Sequence, residues 1–440
     1  MAGKPRRVSY RRELIDAIQT VFPPQFFSRF SAHGNAEWTA QKVFWMSIVM
    51  SWQAKAPVHE QFEYARDVLK EVFPRWKVPK SLSRFLEVRQ GLLEEMRGPI
   101  LLWLQAVGTR YFEAWRVRGW MLFGVDGSRF ETCRTTANEQ GLGCAGKEST
   151  TPQVFQTTLL HIGTGLPWNF QLGPGTDSER RHLDGMLDSL PPQSMLTADA
   201  GFISFDLCRW LVAHNHWFLL RVGANVHLLT ELGWTVERKG QTVYLWPTKQ
   251  RHRPPVVLRL IKITKGDHQP VYLVTNAPEG LLSDRDAAEI YELRWDLELY
   301  YRSFKQTLGH KTLQSRTPQK SLAEQTWKVF ATWLLQLISA QELIASGKSP
   351  ASWSAAKARI AARRLLRKAL TGGSCRSSQT FRRTLRGATT DDYQRTGPKQ
   401  IRHWPRKKQE KPPGPPKIQP ATEQERQQAK RLRNTIYMKS

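Results

Sequence analysis

Residues Ser283–Gly309 read SDRDAAEIYELRWDLELYYRSFKQTLG, and the rest of the chain is organised around them. Ser283 followed three positions later by Asp286 is a capping-box-like start, the first turn is acidic, and Gly309 is a suitable C-terminal stop. No proline interrupts the stretch, so it predicts one long helix. At about 100° per residue, with Tyr291 at zero, Arg294, Glu298 and Lys305 fall near 300°, 340° and 320°, so the four share an arc of roughly 60°. Ile290, Leu293, Leu297, Tyr300, Tyr301, Phe304 and Leu308 form an apolar face beside that stripe. Such a face packs on a core and leaves the stripe at the core's margin, where a cleft can use it. A solvated face laced with ion pairs would carry the same charges.

Two upstream aspartates stand in matching contexts. In GWMLFGVDGSRF the apolar run Met121–Val125 ends at Asp126, and Gly127 follows as a turn signal. In SMLTADAGF, Met195–Ala198 lead to Asp199, then Ala200, Gly201 and Phe202. Each aspartate alone reads equally as a turn or cap residue. Taken together, Tyr-x2-Arg-x3-Glu-x6-Lys, Asp-Gly-Ser and Asp-Ala-Gly-Phe resemble the YREK-type DDE transposases of the IS4 family.

The resemblance implies a ribonuclease-H-like α/β core with an all-β insertion between the second Asp and the Glu. It makes Asp126, Asp199 and Glu298 the catalytic metal ligands, holding two Mg²⁺ ions for which Mn²⁺ substitutes. Tyr291, Arg294 and Lys305 would then hold phosphates, and Arg302 on the same helix and Arg221 on the strand after the second aspartate would contact DNA. A plain edge-strand charge is the competing reading of Arg221. Trp246 and Trp234 are candidates to stack on a flipped base, or else positions in a hairpin core. Double-stranded DNA, as element ends and target, is the implied partner, with a homodimer in the DNA complex. The implied reaction is cut-and-paste DNA transposition. A ribonuclease-H-like nuclease without joining activity, or a domesticated DNA-binding protein with a dead site, are the alternatives.

The chemistry explains the carboxylates. Phosphodiester cleavage is an in-line transfer in which the attacking and leaving oxygens both gain negative character, and hard cations held by carboxylate oxygens stabilise both. Such a site needs no protein base, and can use water first and a DNA 3′-hydroxyl next.

Composition agrees with a polyanionic partner. The 440 residues carry 66 Lys+Arg against 38 Asp+Glu, a net charge of +28, and pI is near 10.3, which favours nucleic acid over membrane. Apolar runs such as Val43–Trp52 and Val329–Ala340 are too short to span a bilayer, and no cleavable signal opens the chain. A cytoplasmic, bacterial, nucleoid-associated protein without membrane contact is expected. Cys133, Cys144, Cys208 and Cys375 show no Cys-x2-Cys spacing and read as reduced thiols. His214 and His216 close an expected helix and read as surface or capping residues.

In chain order, residues 1–115 read as helical, punctuated by Pro23, Pro24, Pro57, Pro74 and Pro79. In the resembling family this region recognises the element's ends; here Arg6, Arg7, Arg11 and Arg12 fit that role or a basic arm on a scaffold. Residues 116–222 are the first part of the core, with strands at Val154–Ile162, Met195–Ala198 and Trp217–Val222 and helices at Asp177–Leu190 and Ser204–Asn215. Residues 223–282 are the all-β insertion, with strands at Gly233–Arg238, Gln241–Trp246, Pro255–Ile263 and Pro270–Thr275, and turns at Lys239–Gly240 and Gly266–Asp267. Residues 283–310 hold the Glu298 helix and 311–375 are helical again, with Arg359, Arg363, Arg364, Arg367 and Lys368 as a basic face. Residues 376–440 are expected to be a basic, disordered tail; from Arg395 onward they hold 13 Lys+Arg, 3 acids and 7 prolines.

Overall fold

The structure is a computed structural model and describes residues 7–30, 36–53, 55–146, 151–264, 269–391 and 414–437. In chain order its strands are β1 (Arg7–Ser9), β2 (Leu122–Glu131), β3 (Gln153–His161), β4 (Leu166–Pro174), β5 (Met195–Ala198) and β6 (Trp217–Val222). They continue as β7 (His227–Thr230), β8 (Thr242–Leu245), β9 (Val256–Ile263), β10 (Val271–Thr275), β11 (Ser374–Arg376) and β12 (Lys417–Pro420). The helices are α1 (Tyr10–Gln19), α2 (Ala40–Trp52), α3 (Val58–Val72), α4 (Leu82–Phe112), α5 (Thr136–Leu142), α6 (Glu179–Asp184) and α7 (Phe205–Ala213). After them come α8 (Asp284–Glu292), α9 (Trp295–Arg302), α10 (Pro318–Ala345), α11 (Ala355–Thr371), α12 (Phe381–Leu385) and α13 (Glu423–Tyr437).

The chain divides into two compact units. The first comprises Met1–Arg116, Asp126–Met186 and Trp295–Thr390; the second comprises Val117–Val125, Leu187–Arg294 and Asp391–Ser440. Strand β2 enters both, split between Val125 and Asp126.

In the first unit, α2 and α10 form the core. A helix that is apolar all round has to be buried, and in α2 the side chains of Val43, Phe44, Trp45, Ile48 and Val49 have almost no exposure. Thr39 caps its start, accepting from Lys42 N at 3.3 Å, and Trp52 Nε1 donates to Ala331 O of α10 at 3.0 Å. Helix α10 also packs on α4 and β4. The first-unit sheet places β3 beside β2 and β4 antiparallel to β3. Strand β1 pairs antiparallel with β11, a pairing of two segments that sequence patterning left unpaired.

In the second unit, the start of β2 pairs in parallel with β5, and β5 in parallel with β6. Beyond β6 the pairing is antiparallel through β10, β9, β8 and β7, and β12 closes the row in parallel with β7. Three successive strands, then two parallel strands each preceded by a helix, make the fold α/β and ribonuclease-H-like, and β7–β10 form the all-β segment between Asp199 and Glu298.

Strands β5 and β6 run as expected because each is a short apolar run bounded by turns. The expected helix Asp177–Leu190 is reduced to α6 and a single 3₁₀ turn at Leu187–Ser189. No strand forms at Gly233–Arg238: the Glu237 carboxylate accepts the backbone N–H groups of Glu231 and Gly233, each at 2.8 Å, and wraps this stretch as a loop. The turn expected at Gly266–Asp267 lies outside the described residues. The expectation of a disordered tail over 376–440 is corrected where that tail is described. Helix α12 buries Phe381 and Leu385, β12 pairs with β7, and α13 follows with Glu425 and Ala429 buried. Residues 392–413 and 438–440 lie outside the described residues. All four cysteines are free thiols. His214 receives the C-terminal end of α7, as expected, whereas His216 is buried rather than at the surface. Among the described residues, no helix is long and apolar enough to cross a membrane.

Candidate active site

The single helix expected over Ser283–Gly309 is three pieces. Ser283 caps α8 as its sequence predicts, accepting from Asp286 N at 3.0 Å, but the helix stops after Glu292. There Leu293 N and Arg294 N bond back only three residues, to Ile290 O and Tyr291 O, both at 3.2 Å. Helix α9 then begins at Trp295, and Ser303–Thr307 form a π-turn in which Leu308 N reaches Ser303 O at 2.8 Å. A uniform 100° step therefore does not describe the stripe. Tyr291 and Arg294 belong to the second unit, Glu298, Arg302 and Lys305 to the first.

In the first unit, Asp126 follows Leu122–Val125, none of which is exposed, and is itself partly open. Its Oδ1 accepts the N–H of Gly127 at 2.8 Å. The turn expected at Gly127 does not form, since β2 continues to Glu131; a Cβ on Gly127 would meet the Phe155 ring at 2.7 Å, so glycine is required there by close packing. Glu298 is half-buried on α9, flanked by the buried Leu297, Tyr300 and Tyr301, which fix that helix on the core. Lys305 donates from Nζ to Arg129 O at 2.7 Å and lies 4.7 Å over the Phe130 ring. Burial lowers its pKa, with the Glu131 carboxylate opposing. Arg302 is exposed at the end of α9.

In the second unit, Asp199 follows β5. Its Oδ1 accepts Ala200 N at 2.8 Å and the Tyr291 hydroxyl at 3.4 Å, and Arg221 Nη1 stands 3.5 Å away. The Tyr291 phenol is pushed up to about 12, first by burial and then by the Asp199 charge, so it remains a donor. The Arg294 guanidinium lies over the Tyr291 ring at 5.7 Å. Thus the structure gathers Asp199, Arg221, Tyr291 and Arg294 within one unit.

Trp246 is not available for stacking. It is 2% exposed, its Nε1 donates to Arg253 O at 2.8 Å, and Arg251 covers the ring at 5.8 Å. Trp234 is half-buried. Sequence reasoning passed over Trp295, which is 56% exposed directly after Arg294. The signal was present, since in YELRW this is the aromatic that falls off the apolar face.

Among the described residues, no three histidine, cysteine, aspartate or glutamate side chains are close enough to hold a metal ion together. The donors themselves suit a hard divalent cation: all are carboxylates, and the contacts of Asp199 fall on Oδ1, leaving Oδ2 for a ligand.

Residues 122–334 match the family model described as a transposase DDE domain, and that span contains Asp126, Asp199 and Glu298. The chain accordingly carries a transposase DDE domain and is a DNA transposase. Among known proteins it is similar to transposases of IS4-type insertion sequences. It is 24% identical over 318 residues to the transposase InsG for insertion sequence element IS4 of Escherichia coli (strain K12), covering 67% of this chain and 68% of that one. It is also 25% identical over 163 residues to a transposase named for insertion sequence element IS4SA of Synechocystis sp., covering 36% of this chain and 44% of that one. Among solved structures, the piggyBac transposase synaptic complex with hairpin DNA aligns over 89% of both chains at 11% identity, with a TM-score of 0.45.

Proposed function

We propose that this transposase cleaves DNA at the ends of its element and joins the freed 3′-hydroxyl to target DNA, with Asp126, Asp199 and Glu298 as ligands of Mg²⁺, for which Mn²⁺ substitutes. The observation that carries the proposal is the DDE-domain match over 122–334, with Asp126 midway along β2, Asp199 leaving β5 and Glu298 on α9 inside it. Divalent metal, when bound, supplies charge stabilisation to the attacking and leaving oxygens. The protein's own groups do the rest. Arg294 and Arg221 offer guanidinium forks suited to phosphate oxygens, Tyr291 offers a phenolic donor, and Lys305 and Arg302 add cations near the Glu298 helix.

The test uses a labelled element-end duplex with flanking DNA, assayed with Mg²⁺ and with EDTA. Asp126→Ala, Asp199→Ala and Glu298→Gln are each expected to lower cleavage at least 100-fold, while end binding stays within about twofold of wild type. Near-native cleavage by any one variant removes that residue from the site. Cleavage without strand-transfer product from a pre-cut end would instead make the chain a nuclease.

A further inference from the structure

Tyr301 lies three residues after Glu298 on α9, so the two are neighbours on the helix surface. Its side chain is buried, and its hydroxyl lies 2.9 Å from the backbone oxygen of Asp126, 3.1 Å from that of Gln156 and 3.1 Å from Thr158 Oγ1. One phenolic proton cannot serve three acceptors. The consistent arrangement has Tyr301 donating to a backbone carbonyl while the Thr158 hydroxyl supplies the second bond. Thr158 in turn accepts from Gln156 Nε2 at 2.9 Å, and Gln156 Oε1 accepts from Gln325 Nε2 at 2.6 Å. A buried polar chain thus runs from α10 through β3 to α9 and ends on the backbone of the residue that carries the first carboxylate. Burial, with the Asp126 charge adding, holds the phenol protonated.

We infer that Tyr301 is a positioning residue: it fixes the register of α9 against β2 and so sets the spacing between the Glu298 and Asp126 carboxylates. The inference rests on the reading of those two side chains as metal ligands. Two ligands bind one ion well only at the right separation, and loss of a group that orients ligands typically weakens metal affinity about 10–100-fold. Ordinary core packing would not require the phenol oxygen to end on Asp126. Its neighbour Tyr300 supplies the matched control, since it is as deeply buried on the same helix yet its hydroxyl faces the Gln156 side chain and not the Asp126 backbone.

The experiment titrates Mn²⁺ into the full-length chain by calorimetry, with thermal melting recorded alongside, for wild type, Tyr301→Phe, Tyr300→Phe and Asp126→Asn. Tyr301→Phe is expected to weaken Mn²⁺ binding about tenfold and to raise the Mg²⁺ midpoint of cleavage by a similar factor, whereas Tyr300→Phe leaves both within twofold. If Asp126→Asn abolishes binding but Tyr301→Phe behaves as Tyr300→Phe does, the positioning role is wrong and the metal-ligand reading stands. If Asp126→Asn binds Mn²⁺ like wild type, the metal-ligand reading itself fails, and the inference with it. Should Tyr301→Phe not fold, Thr158→Val, which removes only the partner hydroxyl, carries the same expectation at about threefold, and wild-type Mn²⁺ binding by that variant overturns it.

Discussion

Glu13 on α1 is 4% exposed, and it accepts the backbone N–H of Phe381 and the Cys375 thiol, the latter at 3.5 Å. Burial pushes its pKa from 4.5 to about 7, opposed by hydrogen bonds from the Cys375 thiol and the Arg382 backbone, with Asp16 adding to the rise. A raised carboxyl pKa means that the folded state holds the proton more tightly than the unfolded state. Its contribution to stability is therefore fully present below about pH 4.5 and is lost as pH climbs through 7, a change on the order of 2 kcal/mol after allowance for partial solvent screening. Glu13→Gln keeps an acceptor for Phe381 and cannot ionise. Its unfolding free energy relative to wild type is expected to rise between pH 5 and pH 8, measured by urea denaturation at both; parallel behaviour of the two proteins would disprove the assignment. The same scale separates the charges near Glu298. Lys305 braces the Arg129 carbonyl and cannot ligate a cation, so Lys305→Ala should slow cleavage roughly 10–100-fold, the equivalent of a charge-assisted bond of about 1.5–3 kcal/mol. The Mg²⁺ midpoint should barely move, whereas Glu298→Asp shifts it upward. A magnesium titration in which Lys305→Ala moves the midpoint as far as Glu298→Asp does would show that the two residues act as one network.

At the scale of elements, the break between α8 and α9 explains what was legible in the sequence. Strands β5 and β6 could be read residue by residue because MLTA and WFLLRV are short apolar runs with turns at both ends. The Ser283 cap was equally plain. The interruption at Leu293–Arg294 was not, because no proline or glycine marks it: α8 buries Ala287 and Ile290 in the second unit, α9 buries Leu297, Tyr300 and Tyr301 in the first, and each piece is locally a good helix. Tertiary anchoring, absent from a periodicity count, decides the matter. The C-terminal stop was legible for a reason the structure sharpens. Gly309 has φ +85°, and a Cβ there would lie 2.7 Å from Lys55 Cγ. Gly309→Ala should thus cost about 1–2 kcal/mol from backbone handedness alone, and lower the melting temperature by a few degrees. An unchanged melting curve would mean that the turn after the π-helix relaxes freely.

For the whole molecule, the net charge of +28 suits a polyanionic partner but obscures a structural role for the C-terminal segment. Composition described Arg395–Ser440 as basic and proline-rich, and so unable to pack. Yet Thr422 and Glu425 form a reciprocal capping box, with Thr422 N donating to Glu425 Oε2 at 2.7 Å and Glu425 N to Thr422 Oγ1 at 3.2 Å. That Thr-x-x-Glu signature was readable and was outweighed by the surrounding charge. What could not be read is the pairing of β12 with β7, because KIQP has an exposed, unpatterned surface and is held by its backbone: Lys417 N donates to Val226 O at 2.9 Å and Ala421 N to Thr230 O at 2.7 Å. Glu425 is also buried in an ion pair with Arg251. Two truncations separate packing from charge. Ending the chain before Gly414 removes β12 and α13 but keeps the seven Lys+Arg of residues 395–413, whereas ending it at Gln394 removes those as well. The first truncation should speed hydrogen exchange of the Leu228–Thr230 amides at least tenfold, since β7 loses its neighbour and becomes an edge. Only the second should further flatten the dependence of DNA affinity on salt, because counterion release scales with the phosphates neutralised. Exchange at β7 that is identical before and after the first truncation would return this segment to the role that composition alone assigned it, that of a charged appendage.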